Sequence, residues 1–429
     1  MYRNTRRLIY NNKIIIIFYN KIIVVGLFFV SRLIFNCFWS IRNFKFTNIP
    51  FLTKQDLLND QKNKKPFGEI LSVSDKEILR VHKTSGTSTA PLMIFLTKKD
   101  IESVVEIGAK TFRQSGLNKN DRIIHCLNFN MWSGGVTDYL SLEETGATCI
   151  PFGTGNTEML IQTIKKLKIN AISCTPSYIF KIYDKCQELG INFKSLKLKK
   201  GFFGGENFIQ ISNMRKIIEK KFGISAIDAN YGLSEVLSII GGENQNKNGL
   251  IFNAQGILYP EIIDKKGKNT QIKKGAEGEL VLTTLKKEAQ PLFRYRTNDT
   301  IKILESFNEK ENGLARFRFR IIGRTDEMFN IKGVNFFPES ISSLFDHIKQ
   351  PLLSTKYKIK RFKISEKSNF KTTIIISDVI RDKNKKKQIE FNLKEKSKTL
   401  LSISLNVVWV SEEKFQLLTS NNNKNKLVI

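Results

Sequence analysis

Five short stretches combine residue types that could do chemistry. Thr84-Ser85-Gly86-Thr87-Ser88-Thr89-Ala90-Pro91 sets five hydroxyls around one glycine. Hydroxyls and loop N–H groups together cradle phosphate oxygens. The stretch lacks the G-x-x-x-x-G-K spacing, and a strand-like run (92–97) follows it rather than a helix. Gly204-Gly205-Glu206 and Tyr231-Gly232-Leu233-Ser234-Glu235 each close an apolar run, where glycine lets the backbone approach a ligand. Tyr295-Arg296-Thr297-Asn298-Asp299 ends in a carboxylate able to accept hydrogen bonds from a ribose diol. Gly323-Arg324-Thr325-Asp326 is a charged turn suited to a pivot. Each stretch alone also has a plainer reading. These are a hydroxyl-rich hairpin loop, a half-buried core ring at Tyr231, a solvated helix-start carboxylate at Glu235, an Asp299 ion pair with Arg294 or Arg296, and a linker at 323–326.

The elements that must position these residues alternate in type. Strand-like runs at 77–82 and 92–97 flank the hydroxyl loop, and a helix is expected over about 99–115. RIIHCL, AISCTPS, LKKGFFGG and SAIDANYG read as strands between the amphipathic stretches TEMLIQTIKKLK, YIFKIYDKCQELG and SNMRKIIEKKFG. Such alternation predicts βαβ units and a largely parallel sheet. Past Gly249 the texture changes to strands and turns, with GILYPEIID, GELVLTTL and ARFRFRIIG. About 100 residues follow Arg324, enough for a small module. They read as strand, strand, lysine-rich helix (383–400) and strand.

The chain has 429 residues, which predicts two or three domains with ample core. Its 41% hydrophobic and 26% charged residues exclude a disordered or polytopic membrane chain. Five cysteines without a C-x-x-C pair, and three histidines, speak against a disulfide framework or a zinc site and for a reducing, cytoplasmic setting. The net charge of +30 is spread over every segment of a chain rich in Lys, Asn, Ile and Phe. It therefore reads as base-composition bias, and nucleic acid is not the expected partner. Residues 13–41 are apolar but interrupted by Lys21 and Arg32. A poor membrane anchor, an interfacial helix and a helix packed on the domain behind it remain open, the last two preferred.

In order and spacing, VHKTSGTSTAP, GTGNTEMLIQTIKKLKINAISCTPSY, FFGGENF, IDANYGLSEV, YPEIID, GELVLTTLKKEAQPLFRYRTND and IIGRTDEMFNIKGVNFFPESI resemble the phenylacetate–coenzyme A ligase family, within the adenylate-forming superfamily. The resemblance runs from about Pro50 to the end. It implies the α/β adenylate-forming enzyme fold, with a large domain of α/β sheets plus a β-rich subdomain (46–323). A hinge (324–327) and a small mobile α+β domain (328–429) would follow it, while the apolar basic segment 1–45, read from its own residues, is unlike the family's usual polar start. The implied activity is an AMP-forming acid–thiol ligase using ATP, Mg²⁺ and coenzyme A. A carboxylate attacks the α-phosphate of ATP, and a thiol then displaces AMP from the mixed anhydride. By resemblance Ser85, Gly86, Thr87 and Ser88 hold phosphates. Gly205, Glu206 and Tyr231 line the adenine pocket, Asp299 binds the ribose with Arg324 nearby, and Glu235 helps hold Mg²⁺. Asp326 is the hinge, Asn130, Trp132 and Gly204 border the acyl pocket, and Lys424 is the adenylation lysine, with Lys426 in reserve.

Two departures from the family pattern stand out: Thr89-Ala90-Pro91 lacks a glycine and a lysine, and Asn298 replaces the glycine before Asp299. The leading expectation is an aryl or arylacetic acid passed to coenzyme A. Delivery to a carrier-protein phosphopantetheine keeps the same chemistry. A non-catalytic member associated with membrane or nucleic acid, with peripheral membrane contact through the N-terminus, is the reading from another class.

Overall fold

The computed structural model describes residues 6–10, 13–18, 21–26, 46–84, 91–206, 213–311, 314–325, 329–331, 334–336, 340–350, 353, 357–363, 370–401 and 405–420. Its centre is a twelve-stranded mixed sheet. In chain order the strands are β1 (Arg122–His125), β2 (Thr148–Pro151), β3 (Ala171–Cys174), β4 (Lys200–Gly204), β5 (Ser225–Leu233) and β6 (Leu237–Glu243). They continue as β7 (Leu250–Phe252), β8 (Leu258–Ile263), β9 (Asn269–Thr270), β10 (Glu277–Thr284), β11 (Tyr295–Glu311) and β12 (Leu314–Arg324). The spatial order is β9-β8-β10-β11-β12-β7-β6-β5-β4-β3-β1-β2.

The half from β5 to β2 is parallel, as the strand–helix alternation predicts. Its strands are apolar at successive positions because both faces are covered. Ile124, Ile172, Phe203 and Ala226 pack with Ile161, Ile179 and Ile182 on one face. Their neighbours Ile123, Ala171, Phe202 and Ile227 pack with Phe112 and Leu142 on the other. From β5 onward every pairing is antiparallel, so the sheet is not largely parallel. The strand-rich texture after Gly249 adds strands to the same sheet, and β5 belongs to both halves.

Residues 340–420 hold a sheet of Tyr357–Lys363, Phe370–Ser377 and Leu405–Val410 with helices Ser340–His347 and Lys383–Leu401. Ile341, Leu344, Phe345, Ile374, Ile376 and Leu393 form a core of their own there. The strand, strand, lysine-rich helix and strand expected from sequence all lie in this region.

The N-terminal expectation needs correction. Residues 6–26 are three antiparallel strands, Arg6–Tyr10, Lys13–Phe18 and Lys21–Gly26, not the first part of a helix. Runs of β-branched Ile and Val favour extended backbone, and the two-residue spacings at 11–12 and 19–20 contain asparagine, a hairpin-turn residue. Among the described residues no helix is long and apolar enough to cross a membrane.

Residues 46–54 are latched onto the start of β11. Leu52 donates its N–H to the Arg294 carbonyl (3.1 Å), and Arg296 donates to the Leu52 carbonyl (2.8 Å). The buried Arg294 side chain donates to Glu261 (3.1 Å) and to the carbonyls of Thr47 (2.7 Å) and Ile49 (2.8 Å), and its guanidinium covers the Phe51 ring. The left-handed backbone at Arg294 (φ 46°) persists because these contacts over-determine it. Arg294→Met leaves Glu261 buried without its cation, and should cost about 3–5 kcal/mol in urea unfolding. Adding Glu261→Gln should recover part of that loss.

Candidate active site

Tyr231, Asp299 and Arg324 lie far apart in sequence and converge on one carboxylate. The Tyr231 hydroxyl donates to Asp299 Oδ2 at 2.8 Å, and Arg324 Nη1 donates to Asp299 Oδ1 at 2.9 Å. Register places Arg324 opposite Asp299 across β11 and β12, while β5 supplies Tyr231. Burial, reinforced by the adjacent Asp299 charge, pushes the Tyr231 phenol well above its ordinary range, so it stays a donor. The arginines nearer in sequence are engaged elsewhere: Arg294 with Glu261 and Arg296 with Glu279. The plainer reading of Asp299 as their ion-pair partner is therefore wrong; its arginine is Arg324. Asn298 has φ 62°, a left-handed conformation that glycine and asparagine adopt most readily. Replacing glycine there preserves the backbone, and the Asn298 carbonyl accepts the Thr325 N–H at 2.7 Å.

Gly204, Gly205 and Glu206 end β4 beside Trp132. Gly205 sits at φ 77°, and a Cβ there would lie 3.5 Å from the Trp132 ring and 3.7 Å from Thr175. The Glu206 carboxylate accepts the Ser177 N–H (3.0 Å) and hydroxyl (2.7 Å) in the first turn of helix Pro176–Glu188. That end of a helix favours negative charge. Burial nevertheless raises the Glu206 pKa, with the Ser177 bonds acting the other way. This side chain is thus a helix cap, and the backbone at Gly205 is what borders Trp132. Asn130 is exposed, two residues before Trp132, with its N–H on Asn128 Oδ1 at 2.9 Å.

Glu235 sits in the hairpin turn between β5 and β6, not at a helix start, and its carboxylate is only 7% exposed. Gly232 makes that hairpin possible, because a Cβ would collide with the Ser238 carbonyl. Glu235 Oε1 pairs with Lys54 Nζ at 2.9 Å, and Lys287 Nζ donates to the Glu235 carbonyl. Burial lowers the Lys287 pKa to about 8 against the opposing pull of Asp100 and Glu235. Sequence reading missed both lysines. The only sequence signal for Lys54 was the T-x-x-D capping box at Thr53 and Asp56, which marks the helix start. Among the described residues no cluster of three or more His, Cys, Asp or Glu could hold a metal. A lone carboxylate does fit Mg²⁺, which keeps several waters and binds through one or two carboxylates plus substrate phosphates.

Ser85, Gly86, Thr87, Ser88, Asp326 and Lys424 lie outside the described residues. The loop's flanks are placed: Arg80–Lys83 pairs antiparallel with Met93–Leu96, closed by the Thr84 N–H on the Leu92 carbonyl at 2.9 Å. Lys83 N–H on the Met131 carbonyl (2.9 Å) ties this hairpin to the turn before Trp132.

His125, at the end of β1, is buried with Nε2 2.9 Å from the Gly135 carbonyl and Nδ1 3.1 Å from Ser173 Oγ. A carbonyl only accepts, so Nε2 carries the proton and Nδ1 accepts from Ser173. Burial lowers its pKa to about 4 from 6.5. The unfolded chain then binds the proton first, so this stability is complete above pH 6.5 and is lost as pH falls towards 4. The loss should reach about 3 kcal/mol in unfolding measured across that window, and His125→Gln should flatten it.

The chain is 33% identical over 363 residues to the phenylacetate-coenzyme A ligase of Aromatoleum evansii, covering 83% of this chain and 79% of that one. It is 32% identical to the Pseudomonas putida enzyme of the same name (83% and 79%) and 31% to that of Escherichia coli (84% and 80%). No family model matches the chain. Among solved structures, 2-hydroxyisobutyryl-CoA ligase in the postadenylation state with 2-HIB-AMP aligns with TM-score 0.72 at 22% identity, covering 88% of this chain and 82% of that one. An anthranilate CoA ligase with anthranoyl-AMP aligns at TM-score 0.58 and 17% identity, covering 82% and 68%. These structures share the fold.

Proposed function

The chain belongs to the phenylacetate–coenzyme A ligase family, and from that premise we propose that it activates an aryl or arylacetic acid for transfer to coenzyme A. It is an ATP-dependent acid–thiol ligase working through acyl-AMP. A carboxylate is a poor electrophile at neutral pH. Attack of its oxygen on the α-phosphate of ATP forms a mixed anhydride and expels pyrophosphate. The coenzyme A thiol then attacks the acyl carbon, and AMP leaves.

The observation that carries the site reading is the meeting of Tyr231 and Arg324 on Asp299. Asp299 accepts the ribose hydroxyls, Tyr231 and the Gly205 backbone border the adenine, and Arg324 stays beside the ribose. Ser85, Gly86, Thr87 and Ser88 hold the outer phosphates. Glu235 holds Mg²⁺, which when bound offsets the triphosphate charge. Lys424 lies between substrate carboxylate and phosphate and reduces the repulsion of two anions. Trp132 and Gly204 border the acyl group, and Asp326 is the pivot about which residues 328–429 turn between half-reactions. The net charge of +30 also suits an acidic carrier protein as acceptor.

ATP–pyrophosphate exchange across a panel of carboxylic acids should respond to aryl and arylacetic acids, and silence with every acid would overturn the reading. Asp299→Asn should raise the KM for ATP about tenfold or more, as loss of a charged hydrogen-bond partner does. Lys424→Ala should abolish exchange while leaving thioester formation from supplied acyl-adenylate. Rates with free coenzyme A and with holo-carrier protein decide the acceptor.

A further inference from the structure

The ion pair between Lys54 and Glu235 joins two groups of very different freedom. Glu235 is fixed: its turn is short, its carboxylate is 7% exposed, and its carbonyl is held by the half-buried Lys287. Lys54 is delivered by a rigid base. Thr53 and Asp56 form a reciprocal capping box, with the Thr53 N–H on Asp56 Oδ2 at 2.8 Å, and Leu52 is hydrogen-bonded on both sides to β11. The Lys54 side chain itself is 39% exposed, on a flexible four-carbon stem. Its backbone is anchored while its ammonium can swing into water.

We propose that Lys54 is a resident cation of the site, held on Glu235 when no metal is bound and expelled when a divalent cation takes that carboxylate. This rests on the reading of Glu235 as the Mg²⁺ carboxylate. A carboxylate this buried is costly without a counter-charge. Lys54 meets that requirement in the free protein, keeping the hairpin turn in the shape that receives the cation. The same contact makes metal binding an exchange, so a bare divalent ion competes with an ammonium already in place. The latch of residues 46–54 on β11 thereby becomes a working part of the site.

The test uses the full chain and Mn²⁺ alone as probe, followed by water-proton relaxation, so that no turnover is read. Lys54→Met should bind Mn²⁺ about three- to fivefold more tightly than wild type, the scale of a partly exposed ion pair lost by the competitor. Lys54→Arg should stay within about twofold of wild type, since it keeps the pairing charge. Adding Glu235→Gln to Lys54→Met should remove the gain. In the unsubstituted protein, acetylation of Lys54 by an amine-reactive reagent should speed up when Mn²⁺ is added, a readout independent of whether any variant folds. Wild-type affinity in Lys54→Met, with Glu235→Gln weakening Mn²⁺ binding in both backgrounds, overturns the exchange alone. Mn²⁺ binding indifferent to Glu235→Gln overturns the reading of Glu235 and the exchange with it. Lys54 acetylation unchanged by Mn²⁺ likewise overturns the exchange.

Discussion

One carboxylate joins the two halves of this sheet. Asp299 accepts a hydroxyl from β5, the last strand of the parallel half, and a guanidinium from the end of β12 in the antiparallel half. A buried charge without partners would be prohibitive, whereas two charge-assisted or strongly polarised bonds make this one tolerable. The arrangement holds only if β5, β11 and β12 keep their relative register. Within β11 the left-handed residue Asn298 lies at a register irregularity, where its carbonyl accepts the Thr325 N–H and Asp299 meets Arg324.

Around that carboxylate, charges are divided between building and chemistry. Arg294 and Arg296 flank the motif closely, yet both are spent on Glu261 and Glu279. Arg294 is therefore a fastener that draws residues 46–54 onto β11. The Glu206 carboxylate likewise caps the first turn of helix Pro176–Glu188, and it is the Gly205 backbone that lies beside Trp132. Lys54 and Lys287 flank Glu235 from opposite ends of the chain's large region.

Much of the fold was legible beforehand. Helix Lys98–Gln114 falls within a residue of its expected bounds, since apolar positions recur at helical spacing and Thr97 with Asp100 marks its start. Four parallel strands, β1, β3, β4 and β5, were legible through their short apolar runs, and β2 at Thr148–Pro151 was not. Residues 6–26 misled, because an Ile-rich run has the same hydropathy as strand or as helix, and the asparagines between the strands were the decisive signal. Helix Ser133–Glu143 was not anticipated, as its glycines and threonine mask its period. Of the antiparallel strands after β5, β8, β10 and β12 were legible individually while β6, β7, β9 and β11 were not, and the joining of this half to the parallel one was not, since pairing across a sheet leaves no trace in local periodicity.

Sequence by itself determined the family, the order of the motifs and the residue types at each: hydroxyls, glycines and a few carboxylates at strand ends. Side-chain chemistry and spacing are local properties, and they are written in the chain. Tertiary structure alone decided which charges meet. Arg324 rather than Arg294 faces Asp299, Ser177 holds Glu206, and Lys54 lies on Glu235 although 181 positions separate them. Ion pairing depends on distance and burial in three dimensions, and neither can be read along one.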